Sequence, residues 1–286
     1  MCRLPVSTFK LFVCATFISP RKVSIKHDLS RRQGADSSPC WGDFNIVSQA
    51  DIDNGILAHC TILHGDIILD NATGNVSLSF GGGELGLAVN GSVYCRNNSE
   101  LNGLDTYAVY NVSGTFAVQN ATSLHYLETD FDAAGAFEVQ NCPNLNDASF
   151  FVTTITESLV IEGNSSPGLD VLTTIGRVNN ITIRNVAGLS MPGLREVYDS
   201  FEISYCDNLI SVNIQSLQFV GGSFYIQNNP TLQLLQLDEI QTIGNSLEIT
   251  NNSMFIFNQT TFDTPEVQSS LQNVATMQLS GPFRSL

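Results

Sequence analysis

The chain has 286 residues and a formal net charge of −15, and that charge is distributed unevenly. Seven of its 12 basic residues precede Gly34, and beyond that point five arginines face 26 carboxylates. So acidic a body repels phosphate backbones and anionic headgroups, which excludes nucleic-acid binding and membrane attachment through basic patches. The hydrophobic content of 43%, with only 14% charged residues, excludes a disordered chain and predicts a folded body.

Residues 1–33 are predicted to be a secretory signal peptide followed by a basic segment. Arg3 and Lys10 precede the short apolar stretch 11–18, and the basic segment ends at Arg31 and Arg32, a dibasic pair of the kind that processing proteases cut. An ordinary exposed basic segment is the alternative. The chain also holds ten Asn-X-Ser/Thr sequons, roughly twice the number that random placement would give, and this excess favours the secretory route.

Residues 40–62 are predicted to form an N-terminal cap. Ser48 has the residue type and position of a helix N-cap, and Asp51 would lie in the first turn of that helix. Cys40 and Cys60 flank the stretch. A disulfide between them would hold a helical lid over the first coil of the body that follows, since the ends of repeat proteins need such caps.

Residues 63–286 are predicted to be a β-solenoid. Nine strand-like segments begin at residues 67, 93, 116, 137, 159, 181, 201, 224 and 247, a period near 22 residues. In each segment the first and third residues are apolar and the second and fourth are mostly polar, the pattern of a strand with one buried face. Helical periodicity between the segments is weak. We therefore expect a predominantly all-β fold with short irregular returns, truncated inside a further repeat.

The fifth residue of the unit is asparagine in seven of the nine segments. Continued alternation would turn this residue inward, where stacked amides could satisfy the backbone at a corner. The expected inner ladder consists of Asn71, Asn97, Asn120, Asn141, Asn185, Asn228 and Asn251. Those of its members that belong to sequons are expected to be unmodified. The N-glycosylation sites are instead expected at Asn75, Asn90, Asn111, Asn164, Asn180 and Asn258.

Three further cysteines, Cys95, Cys142 and Cys206, are expected to be buried thiols, because free cysteine is among the most buried residue types. Cys142 and Cys206 occupy the same phase three coils apart. At ~4.8 Å per strand they would be ~14 Å apart, whereas a disulfide needs Cα atoms within ~7 Å.

The repeats resemble those of a known family. The paired-cysteine segment with Ser48-Gln-Ala-Asp-Ile-Asp, and units such as Val220-Gly-Gly-Ser-Phe-Tyr-Ile-Gln-Asn-Asn-Pro-Thr-Leu, are similar to the fungal GPI-anchored cell-wall organisation proteins. Those proteins are built on receptor L-domain repeats, a right-handed, leucine-rich-repeat-like solenoid. The resemblance covers residues 40–286.

The resemblance implies a non-enzymatic, extracellular or cell-surface glycoprotein that contributes to cell-wall organisation and integrity, with no cofactor. Members of the family end in a Ser/Thr-rich stalk and an anchor signal. No such signal is present in this chain. We therefore expect either a truncated sequence or a shortened secreted form.

Two interpretations of the outward strand face remain open. Glu138 and Glu162 could form a glycosidase pair, but a solvated row in which Glu162 pairs with Arg184 is the expected arrangement. Tyr94 and Tyr225 would make the face polar and aromatic, which suits a wall polysaccharide or a protein partner and not a lipid. The alternative function is therefore a secreted carbohydrate- or protein-binding receptor-like module. No catalytic or metal-binding residue is predicted.

Overall fold

The computed structural model describes residues 40–55, 57, 59–78, 86–164, 170–255 and 276–279. The predicted export segment and Asn258 lie outside the described residues. All of the described residues belong to one unit, Ser38–Leu286. Among them there is no helix with the length and apolar character needed to cross a membrane.

The described residues form a β-solenoid of about eight turns, as the sequence predicts, with one short helix, α1 (Gln49–Asp53). Every pairing between strands of successive turns is parallel, and the strands lie on three faces. Face A holds the predicted repeat strands: β1 (Phe44–Ile46), β3 (Ile67–Asp70), β6 (Val93–Arg96), the ends of β8 (Val109–Gln119) and β9 (Tyr126–Gln140), β11 (Ser158–Glu162), β14 (Asn180–Arg184), β17 (Phe201–Ser204), β20 (Phe224–Gln227), β23 (Ser246–Thr250) and β24 (Thr276–Leu279).

The other two faces complete each turn. Face B follows the corner after each face A strand: β4 (Thr73–Ser77), β7 (Glu100–Asp105), the start of β9, β10 (Asp147–Ile155), β12 (Asp170–Thr173), β15 (Gly188–Ser190), β18 (Ser211–Asn213) and β21 (Leu234–Gln236). Face C leads back to face A: β2 (Ile62–Leu63), β5 (Leu87–Val89), parts of β8, β9 and β10, β13 (Arg177–Val178), β16 (Glu196–Val197), β19 (Phe219–Val220) and β22 (Thr242–Ile243).

The core consists of stacked apolar columns inside the three faces. All nine predicted segments form face A strands, and their first and third residues are buried. Phenylalanines in the first position stack between turns, with ring centroids 5.1 Å apart for Phe116 and Phe137 and also for Phe201 and Phe224. Burying each such ring contributes about 1.5–3 kcal/mol. A single turn would leave its ring exposed to water and lose this contribution, so each turn depends on its neighbours for stability.

The predicted inner asparagine ladder is wrong, and the backbone at the corner between faces A and B explains why. The fifth residue of every unit has a positive φ, between 54° and 69°. A left-handed residue interrupts strand alternation, so its side chain points outward and the sixth side chain turns inward. Asparagine recurs here because it adopts this conformation at low cost. The nine corner residues are Asn71, Asn97, Asn120, Asn141, Gly163, Asn185, Tyr205, Asn228 and Asn251.

Stacked amides do satisfy the backbone, but one residue later than predicted. Asn98, Asn164, Asn229 and Asn252 are at most 1% exposed, and each reaches back to the preceding turn. Asn229 is typical: its Oδ1 accepts from the backbone N–H of Cys206 at 3.0 Å, and its Nδ2 donates to the Ile203 carbonyl at 3.1 Å. These side chains fill the role that the sequence assigned to the corner residues.

The N-terminal segment combines a disulfide, a strand and a helix. A disulfide joins Cys40 and Cys60, whose Cα atoms are 5.6 Å apart. Helix α1 begins after Ser48, and the Asp51 carboxylate accepts from the backbone N–H of Ser48 at 2.9 Å. Strand β1 pairs with β3, so face A already begins at Phe44, inside the segment predicted as a cap.

The three remaining cysteines of the body are buried thiols, as expected. Burial raises the pKa of Cys95 to about 12 and the pKa values of Cys142 and Cys206 to about 11. All three are therefore protonated near neutral pH and act as apolar fillers of core positions.

Candidate functional site

The outward side of face A carries a row of hydrogen-bonded polar side chains. These side chains come from the second and fourth positions of successive strands and are half-buried by their neighbours. Gln119 Nε2 donates to Glu138 Oε2 at 2.9 Å and to Gln140 Oε1 at 2.8 Å. Gln140 Nε2 donates in turn to Glu162 Oε1 at 3.0 Å. The row is thus continuous over three turns.

Arg184 extends this row by two further turns. Its guanidinium lies 3.3 Å from Glu162 Oε2, as expected from the sequence, and 2.9 Å from Glu202 Oε1. The hydrogen bond to Glu202 raises the pKa of Arg184, so the cation persists throughout the accessible pH range. Because the Arg184 side chain is 41% exposed, each ion pair contributes under about 1 kcal/mol to stability.

The two carboxylates considered as a glycosidase pair lie on neighbouring strands of face A but are offset from each other. Glu138 and Glu162 are not register partners, because Glu138 faces Val160 and Glu162 faces Gln140. Each carboxylate instead accepts a hydrogen bond from an amide of the preceding turn, Glu138 from Gln119 at 2.9 Å and Glu162 from Gln140 at 3.0 Å. Within the described residues there is also no cluster of side chains that could hold a metal ion.

The two tyrosines predicted as a binding face both lie on the outward side of face A, far from each other. The Arg96 guanidinium covers the ring of Tyr94 at 3.9 Å from its centroid. The hydroxyl of Tyr225 accepts from Ser246 Oγ at 3.2 Å. Six strand-to-strand steps separate the two rings, which is about 29 Å at 4.8 Å per step. Only an extended polymer or a protein surface can contact both.

Sequence reasoning missed a cleft between α1 and face B. The cavity has a volume of about 330 Å³, and its lining includes Gln49, Asn75, Asp105 and Tyr126. Ser77 joins the helix to the sheet here, because its N–H donates to Gln49 Oε1 at 2.7 Å and its Oγ donates to Asp105 Oδ1 at 2.6 Å. The lining comes from the helix and three turns, so no local motif marks it.

Titratable groups crowd around this cleft. The hydroxyl of Tyr126 donates to the Glu128 carboxylate, which lies opposite Asp105 in the register. Burial, more than any other cause, raises the pKa of Asp105 and that of Tyr126. Burial and Glu128 together raise the pKa of Tyr107 to about 12. The cleft is therefore lined by hydroxyl, carboxylate and amide groups and by one aromatic residue, Tyr126.

The asparagines predicted to carry glycans differ in how exposed they are. Asn75 and Asn90 are exposed, whereas Asn111 and Asn180 are half-buried. Asn164, predicted to be accessible, is fully buried, and both ends of its amide bind backbone groups. The sequon asparagines at the corner, predicted to be inaccessible, are exposed.

Comparisons with known proteins identify one relative. No family model matches the chain, and no solved structure matches it. Cell wall protein ecm33 of Schizosaccharomyces pombe is 30% identical over an alignment of 201 residues that covers 66% of this chain and 45% of that protein. The chain thus spans less than half of the length of this relative. It is a homologue of a fungal cell-wall protein, as its repeats indicate.

Proposed function

We propose that the protein is a non-enzymatic glycoprotein of the fungal cell surface that contributes to wall organisation and integrity by binding wall polysaccharide along face A. The observation that carries the proposal is the outward row of face A, linked by hydrogen bonds and ion pairs over five turns, in a homologue of a wall protein. Ten strand-to-strand steps from β1 to β24 span about 48 Å, enough for an extended polymer.

The chemistry of face A supports a polysaccharide ligand. Sugar hydroxyls donate to carboxylates and amide oxygens and accept from amide and guanidinium N–H groups, and the row offers both kinds of partner. Tyr225 adds a flat ring with a polar edge, which suits contact with the C–H face of a pyranose, and Tyr94 adds a second ring with the Arg96 guanidinium stacked on it. Bidentate cross-turn hydrogen bonds hold the row in place before binding, which lowers the entropic cost of association.

The geometry of the row supports a non-enzymatic role. A hydrolase needs a carboxyl group that can donate a proton beside an open position for water, whereas Glu138 and Glu162 both accept hydrogen bonds from neighbouring amides. We propose no cofactor.

A location outside the cell is supported by the disulfide and by the export segment. A disulfide between Cys40 and Cys60 is typical of the oxidising secretory route. Residues 1–33 have the pattern of a signal peptide with a processing site. The acidic charge of the body argues against a nucleic-acid partner and supports wall polysaccharide or another surface protein.

Binding to insoluble wall glucan tests the proposal. Purified secreted protein should sediment with the glucan, and the double variant Y94A/Y225A should bind about tenfold more weakly, since aromatic contacts contribute roughly 0.5–1.5 kcal/mol each. Y205A is the matched control, because Tyr205 is 62% exposed at the corner and does not lie on the outward side of face A. Sedimentation that both variants leave unchanged would remove face A as the binding surface.

The cleft favours a second candidate function, a receptor-like module that binds a short saccharide. A cavity of about 330 Å³ lined by Asp105, Asn102 and the Tyr126 ring has the mixture of polar groups and one aromatic surface found in small-ligand sites. Calorimetric titration with glucan oligosaccharides distinguishes the candidates: Y126A would abolish oligosaccharide binding while leaving sedimentation with the insoluble polymer intact.

A further inference from the structure

Four corner asparagines combine a sequon with full access to solvent. They are Asn71, Asn97, Asn120 and Asn251, and all are exposed. The hydroxyl residues that complete their sequons are exposed as well: Thr73, Ser99, Thr122 and Ser253. Both parts of each recognition sequence therefore lie on the outside of the solenoid.

The left-handed backbone is what presents these side chains. At φ values of 54–58°, the four residues point away from the core, along the edge where faces A and B meet. Two of the amide nitrogens donate to the neighbouring turn: Asn120 Nδ2 donates to Asn97 Oδ1 at 3.3 Å, and Asn251 Nδ2 donates to Asn228 Oδ1 at 3.1 Å. An amide nitrogen has two hydrogens, so it can carry a sugar on one and keep the link with the other.

Asn164 provides the internal contrast. Its Nδ2 donates to the Val139 carbonyl at 3.0 Å and its Oδ1 accepts from Cys142 N–H at 2.8 Å, inside the core. A sugar on that nitrogen would break the buried bond and separate two turns. Its sequon is as complete as the other four, and only the fold distinguishes it.

From this contrast we infer that the chain carries N-linked oligosaccharides on Asn71, Asn97, Asn120 and Asn251, in a row along one edge of the solenoid. The inference rests on the proposed function, because it requires export. In the reaction, Nδ2 forms a bond to the anomeric carbon of a lipid-linked oligosaccharide. The bond from that carbon to the lipid diphosphate breaks, the diphosphate leaves with the electron pair, and the transferase takes one amide proton.

A gap divides the four proposed glycans into two groups. Three glycans would occupy successive turns near the N-terminal end, and one would lie near the other end. The corner residues of the five turns between them belong to no sequon: Asn141, Gly163, Asn185, Tyr205 and Asn228. Glycans on this edge would leave the outward side of face A uncovered, as polysaccharide binding there requires.

Site mapping of the full chain, secreted from a eukaryotic host, tests the inference. Peptides are released after enzymatic deglycosylation in heavy-oxygen water, which labels each asparagine that bore a glycan as aspartate. We expect label at all four corner sites and none at Asn164. Ser99→Ala and Thr122→Ala, which keep the corner asparagines, should each remove the mass of one glycan, whereas Ser166→Ala should remove none.

The outcomes separate this inference from the proposed function. Secreted protein labelled only at other sequons, such as Asn75 and Asn90, would overturn the corner assignment and leave the wall role standing. Protein retained in the cytosol without glycans would overturn both. Corner glycans on a protein that does not bind wall glucan would support this inference and count against the proposed function.

Discussion

Replacing Asn229 by alanine tests whether the buried amides hold successive turns together. The substitution removes the acceptor of the Cys206 N–H and the donor to the Ile203 carbonyl, at 3.0 and 3.1 Å. Both peptide groups would remain buried without a partner, and each such group costs about 1–3 kcal/mol. We therefore expect N229A to lower the free energy of unfolding by about 2–5 kcal/mol, measured by urea denaturation followed by circular dichroism.

Asn228→Gly is the matched control, one residue away. Asn228 has a φ of 56° and its side chain accepts one hydrogen bond at the surface. Glycine adopts that backbone without steric cost, so the change in stability should stay within about 0.5 kcal/mol. Equal losses for the two variants, or a loss below about 0.5 kcal/mol for N229A, would refute the assignment of the ladder to the sixth position.

Three further predictions concern stability. The Cys40–Cys60 disulfide links residues 20 positions apart, and reducing it should lower the free energy of unfolding by about 3 kcal/mol. The C40S/C60S variant should behave like the reduced protein, and an unchanged denaturation midpoint would contradict this. Gly244→Ala places a Cβ 2.0 Å from the Gly221 carbonyl oxygen, so it should cost at least about 1–3 kcal/mol, and a neutral thermal shift would show that the turns can separate there. The thiol pKa of Cys206 is raised from 9.0 to about 11, and those of the other two buried thiols are raised too, so the folded state retains protons that the unfolded state loses. The contribution of these thiols to the free energy of unfolding should therefore be fully present below pH 9 and should fall as the pH rises from 9 toward 11, by about 1 kcal/mol per thiol at pH 10. A Cys206→Ala variant should lose less stability over that interval than the parent protein does.

The strands of face A could be predicted from the sequence because their signal is local. A period-two pattern repeated every 22 residues or so fixes which side chains are buried, and Phe116, Phe201 and Phe224 lie in the core as that pattern requires. The same pattern places Cys95, at a third position, in the core, whereas the burial of Cys206 was predicted from its residue type.

The corner could not be predicted by extending the same alternation. One residue with positive φ reverses the faces of everything after it, and alternation alone does not reveal where that residue occurs. Asparagine in seven units was a usable clue to the left-handed conformation, since few other residues adopt it readily. Tyr205, with a φ of 55°, carries no such clue and is fixed by its neighbours in the stack.

The cleft beside α1 could not be predicted for a different reason. Gln49, Asp105 and Tyr126 come from the helix and from different turns, so their proximity depends on how the N-terminal segment lies against face B. The error of one residue at the corner also explains why the exposed corner asparagines were predicted to be buried and the buried Asn164 was predicted to be accessible. Repeat architectures can be predicted from sequence, whereas sites assembled across several turns require the structure.

Fractionation of cells of the organism that makes the protein tests the central claim most directly. Washed walls, membranes and cytosol would be probed with an antibody to the solenoid, with non-reducing peptide mapping of each pool. We predict that the protein is found with the walls or the cell surface, with Cys40 joined to Cys60 and residues 1–33 removed. A reduced, unprocessed protein confined to the cytosol would contradict the account.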